Sequence, residues 1–124
     1  MHNNYMLKVC GIKNCDTMNK TFKWLENHGI EYDFIDLKKT PFSEEELAVI
    51  AELVGLDTLV NRRGMMWRKL GLAHKDLSDQ ELFNELLEHQ TMIKRPVMID
   101  DDNAILVGFD EEAVSNFVIH EENN

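Results

Sequence analysis

YMLKVC (5–10), GIKNC (11–15), DTMNKTFKWLEN (16–27), HGI (28–30) and EYDFIDL (31–37) form the stretch whose reading decides the fold. Tyr5 to Cys10 is a short, mostly apolar run of the length and character of a buried strand. Gly11 to Asp16 interrupts it. From Asp16 onward Met18, Phe22 and Leu25 recur at helical spacing, with Thr21 and Trp24 beside them, and Gly29 stands where a helix C-terminus places a left-handed residue. Tyr32 to Leu37, with its aromatic and β-branched residues, reads as a second strand. Strand, helix and strand in immediate succession make a βαβ unit. Its two strands are expected to be parallel, joined by a right-handed crossover.

The middle of the chain reads as helical. Ser43 with Glu46 and Ser78 with Glu81 are capping-box pairs, each ahead of an apolar series: Leu47, Ile50 and Val54 in the first case, Leu82, Phe83, Leu86 and Leu87 in the second. Gly55 closes the first of these helices. Asp57 is expected to cap a short turn through Leu59 and Val60, and Asn61-Arg62-Arg63-Gly64 to turn the chain. Val97–Ile99 and Ala104–Val107 flank the polar tetrad 100–103, the pattern of an antiparallel hairpin. Asp110 then caps a last helix bearing Ala113, Val114, Phe117 and Val118. The order βαβ, helical insertion, ββα is that of an α/β, thioredoxin-like plan with a mixed four-stranded sheet. Residues 1–124 are read as one such domain, with the insertion at about 43–90.

At 124 residues, 44% hydrophobic and 29% charged, the chain has an ordinary globular composition. Thirteen Lys and Arg against 23 Asp and Glu leave a net charge of −10, which repels phosphate backbones and anionic lipid. Neither nucleic acid nor a membrane is therefore the expected primary partner. No apolar run approaches the roughly 20 residues of a membrane-spanning helix, and the N-terminus lacks signal-peptide character. Two cysteines provide no disulfide framework. Cytoplasmic location is the expectation.

Cys15 carries the candidate chemistry. It follows a strand and opens a helix, where unpaired N–H groups and the positive end of the helix dipole favour thiolate over thiol. Lys13 adds positive charge nearby, and Thr17 offers a hydroxyl to the sulfur or to a bound anion. Cys10, inside the apolar strand, is assigned to packing. The spacing C-x4-C is not the C-x-x-C of a dithiol redox couple. Lys94-Arg95-Pro96 precedes the third expected strand, with Pro96 a candidate cis proline. In a thioredoxin-like plan that loop faces the start of the first helix, which places Arg95 near Cys15. Arg63, on its turn, is a second candidate for the same anion. The five histidines lack metal-ligand spacing and the three aspartates 100–102 lack an EF-hand pattern, so no metal is expected.

GIKNCDT (11–17), Arg63-Gly64, Trp67-Arg68-Lys69-Leu70 and Lys94-Arg95-Pro96, in that order, closely resemble the ArsC/Spx family and within it the YffB-like branch. The resemblance runs from Leu7 to about Phe117. It implies a thioredoxin-like fold with a helical insertion, and a thiol-dependent oxidoreductase. By position, Cys15 matches the family's nucleophile, Arg95 before Pro96 an arginine of its anion pocket, and Arg63 the arginine of the branch's Arg-Gly turn. Two departures move the expected substrate away from arsenate. Gly11 stands where arsenate reductases carry a histidine, and Val107-Gly108 replaces their third arginine. The resulting expectation is a thiol reductase that binds no cofactor and uses glutathione as co-substrate on a small oxidised substrate. Glutaredoxin or thioredoxin are the alternative reductants. An Spx-like regulator contacting RNA polymerase or another protein, and an arsenate reductase, are the competing readings.

Overall fold

The computed structural model describes residues 6–122, so Tyr5 of the first expected strand lies outside the described residues. The chain divides into two compact units, one formed by residues up to Asp36 together with those from Arg95, the other by Leu37–Lys94.

The first unit holds the sheet. Strand β1 (Leu7–Gly11) leads to helix α1 (Asp16–Asn27) and strand β2 (Tyr32–Asp36); β3 (Val97–Ile99), β4 (Ile105–Val107) and a final helix, α6 (Glu111–Glu122), complete it. The order across the sheet is β2-β1-β3-β4. β1 pairs in parallel with β2, from Leu7 opposite Tyr32 to Gly11 opposite Asp36. On its other side β1 runs antiparallel to β3, with Cys10 opposite Val97. β3 and β4 form the expected hairpin. The result is the thioredoxin-like α/β arrangement.

Alternation along β1 sets the core. Leu7, Val9 and Gly11 share one face, and Leu7 and Val9 join Met18, Leu25, Ile30, Met98, Val114 and Val118 in a buried cluster. Cys10 points to the other face and is 1% exposed, as its strand position implies. Helix α1 ends as the sequence indicates: Gly29 adopts φ +69°, and the N–H of Ile30 donates to Leu25 O at 2.9 Å while that of Gly29 donates to Glu26 O at 3.2 Å. That is a Schellman closure, with Leu25 and Ile30 both in the core. Asp100 anchors the hairpin turn. Its Oδ1 accepts from the N–H groups of Asp102 (2.8 Å) and Ala104 (2.9 Å). Asp110 caps α6 by accepting from the N–H of Ala113 at 3.0 Å.

The second unit is helical: α2 (Glu44–Val54), α3 (Leu56–Leu59), α4 (Met65–Lys69) and α5 (Asp79–Glu88), with 3-10 turns at Leu72–His74 and Gln90–Met92. Both capping boxes are formed, Ser43 with Glu46 and Ser78 with Glu81. Gly55, at φ +90°, rather than Asp57, caps α3, so Asp57 sits inside the first turn and pairs with Arg62 at 2.9 Å. The short helix α4 has no counterpart in the sequence reading. Its five residues lack a capping side chain and show no apolar period. Among the described residues no helix is long and apolar enough to cross a membrane.

Candidate active site

The site is built where β1 gives way to α1. Gly11 ends the strand and Ile12 to Asn14 bend the chain. Asn14 takes φ +58°, a left-handed conformation that asparagine tolerates better than most residues. That reversal sets Cys15 as the N-cap of α1, with extended backbone (φ −127°, ψ 130°). A residue in this position has the first N–H groups of the helix facing its side chain.

Arg95 arrives from the other direction. The antiparallel register puts Val97 opposite Cys10, and continuing it past the end of β1 carries Arg95 alongside the loop that leads to Cys15. The Arg95–Pro96 peptide is cis. The Arg95 guanidinium donates a hydrogen bond to the Cys15 sulfur. Two residues far apart in the chain thus meet within one unit.

Cys15 is partly buried and belongs to no disulfide. Burial, the strongest single influence, pushes its thiol up. Against it act the Met18 N–H, the Arg95 hydrogen bond, the Thr17 N–H and the positive charge of Arg95, in that order, and together they bring the thiol below its ordinary value. The sulfur closes no capping hydrogen bond of standard geometry. The two amide dipoles still act on it, since dipoles favour the charged form without ideal alignment.

The remaining sequence candidates distribute as follows. Thr17 contributes through its backbone: its N–H acts on the sulfur and its carbonyl accepts from the Thr21 hydroxyl at 2.8 Å. Lys13 is exposed on the bend. Arg63 lies in the second unit, on the turn after α3, where its N–H donates to Asn61 Oδ1 at 3.1 Å. Its neighbour Arg62 pairs with Asp57 and lies over the Trp67 ring, 5.4 Å from the centroid. No cluster of three or more metal-ligating side chains occurs among the described residues.

Met18 is the contributor the sequence reading missed, since the spacing placed it only in the core. Counting from the N-cap would have found it, because the N–H three residues on is one that an N-cap side chain reaches. Gly11, in the sequence the first residue of the break and the position of a missing histidine, is the last residue of β1. A Cβ at Gly11 would lie 2.5 Å from Met18 Sδ and 2.7 Å from its Cε.

The family profile described as ArsC family matches residues 10–117, which contain Cys15 and Arg95. The chain belongs to the ArsC family. An uncharacterized protein of Haemophilus influenzae is 39% identical over 108 residues, 86% of this chain and 94% of its own length. A solved structure of a protein named YFFB is 38% identical with a TM-score of 0.77, covering 90% of this chain and 96% of that one. The global transcriptional regulator Spx of Lactiplantibacillus plantarum is 27% identical over 106 residues, 84% of this chain and 80% of its own. Of these three only Spx carries a role in its name, so the residues around Cys15 must carry the functional reading of this chain.

Proposed function

We propose that this protein is a glutathione-dependent thiol reductase whose nucleophile is Cys15. The observation that carries the reading is the sulfur at the start of α1, its thiol lowered by the Met18 and Thr17 N–H groups and by the Arg95 guanidinium despite partial burial. A thiolate so placed attacks a sulfur of a mixed disulfide between the substrate and glutathione. A Cys15–glutathione disulfide forms, and the substrate leaves as a thiolate that takes up a proton. A second glutathione, as thiolate, attacks the glutathione sulfur of that adduct, releasing Cys15 thiolate and glutathione disulfide. Two electrons reach the substrate, and the proton lost by the incoming glutathione balances the one the product gains.

An external thiol is required because Cys10, the one other cysteine, is buried in β1 at 1% exposure. Arg95 stabilises the thiolate and offers its guanidinium to a carboxylate of glutathione. Lys13 and the Thr17 hydroxyl are secondary contributors to anion binding. Cys15→Ser is expected to abolish turnover of a glutathionylated substrate and the glutathione adduct seen by intact mass, with an unchanged circular dichroism spectrum. Retained turnover refutes the mechanism.

The likeness to Spx supports a second reading, a regulatory module that binds RNA polymerase. A stoichiometric complex with polymerase, in a protein that shows no reductase turnover, would favour it.

A further inference from the structure

We infer that Gly11 and Met18 form a seating contact that positions the first turn of α1, and that Gly11 is thereby a positioning residue for Cys15. The inference rests on the reading of Cys15 as the reactive thiolate. Leu7 and Val9 present side chains to the core on the same face of β1, and at the next position on that face Gly11 presents none. The terminal atoms of Met18 occupy that space: a Cβ at Gly11 would stand 2.5 Å from Sδ and 2.7 Å from Cε, well inside van der Waals contact. Met18 is 0% exposed and the cluster around it is close-packed, so its side chain has no solvent into which to swing.

The same residue supplies the backbone N–H that acts most strongly in favour of the Cys15 thiolate. The thioether resting on the bare backbone of β1 holds residue 18, and with it that N–H, at a set height relative to the sulfur. The charged group acting on the sulfur is Arg95, while Lys13 and Asp16 flank Cys15 in sequence and are exposed. A side chain at position 11 displaces the thioether and tilts the turn, even though it never touches the sulfur.

The test is the pH dependence of Cys15 alkylation, read by intact mass, in a set of variants. Gly11→Ala is expected to raise the alkylation midpoint by about half to one unit, the size of a weakened hydrogen bond to the thiolate, and to slow alkylation below both midpoints by about three- to tenfold. In a Met18→Ala background the same Gly11→Ala change refills the space the thioether vacated, so the midpoint is expected to fall relative to Met18→Ala alone. This inversion of sign distinguishes a seating contact from simple overpacking, and it remains measurable if the single Gly11→Ala variant does not fold. An unshifted midpoint in folded Gly11→Ala, or shifts of the same sign in both backgrounds, overturns the inference while leaving Cys15 as the nucleophile. A wild-type midpoint at the ordinary thiol value removes the functional reading itself.

Discussion

Arg95→Gln removes the cation that acts on the Cys15 sulfur and keeps a shorter, polar side chain. A hydrogen bond to a charged group contributes about 1.5–3 kcal/mol. Cys15 is only partly buried, so water and salt screen the pair and the lower end applies. About 1.5 kcal/mol corresponds to a rise of about one pKa unit. Below both midpoints, the thiolate fraction and the alkylation rate therefore fall about tenfold. The assay is iodoacetamide labelling across pH, with far-ultraviolet dichroism to confirm folding. Stability should follow the same linkage. The folded thiol titrates below its unfolded value near 8.5, so thiolate contacts stabilise the fold fully above that value and fade as pH falls through the folded one. The urea midpoint lost in Arg95→Gln should accordingly grow as pH rises toward and past the ordinary thiol value near 8.5, and shrink as pH falls through the folded one. A folded variant with an unchanged alkylation midpoint refutes the assignment of Arg95.

Three further outcomes test the frame that holds the site. Asp100→Ala leaves the N–H groups of Asp102 and Ala104 without their acceptor in a residue 4% exposed, and should cost about 2–3 kcal/mol in urea unfolding. Asp100→Asn keeps the acceptor oxygen and should cost less. Tyr32 is pushed up to about 12 by burial and then by its 2.9 Å hydrogen bond to Glu26 and that carboxylate's charge. In a Tyr5→Phe background, Glu26→Gln should bring the phenolate absorbance midpoint down. The raised value means that this pair stabilises the fold below about pH 10 and ceases to do so as pH rises through about 12, so Glu26→Gln should destabilise at neutral pH and not at the alkaline extreme. Ser43→Ala breaks the capping box of α2, where the hydroxyl accepts from Glu46 N–H at 3.1 Å, and should cost about 1 kcal/mol in chemical denaturation.

The elements that local chemistry specifies were legible in the chain. Capping boxes, the Gly29 closure and the two-strand pattern around 100–103 depend on residues three to six apart, and each appears where its residues stand. The exceptions are instructive. Asp57 carries a capping side chain, yet Gly55, free to adopt φ +90°, takes the cap and leaves Asp57 to Arg62. Helix α4 is too short to display a period.

Cys15 returns the same division at the site. Its place at the start of α1 was readable from residues 5–27 alone, because a strand, a break and an apolar helical period leave it no other position. Everything that acts on its sulfur from beyond that helix needed the sheet. Arg95 reaches it because β3 lies antiparallel beside β1, a pairing between segments far apart in the chain. The space that Met18 fills exists because Gly11 ends a central strand under α1. Sequence determines which groups are available over a few residues, where backbone geometry is short-ranged; only the packed sheet decides which of them meet, because that depends on registers the local pattern does not encode.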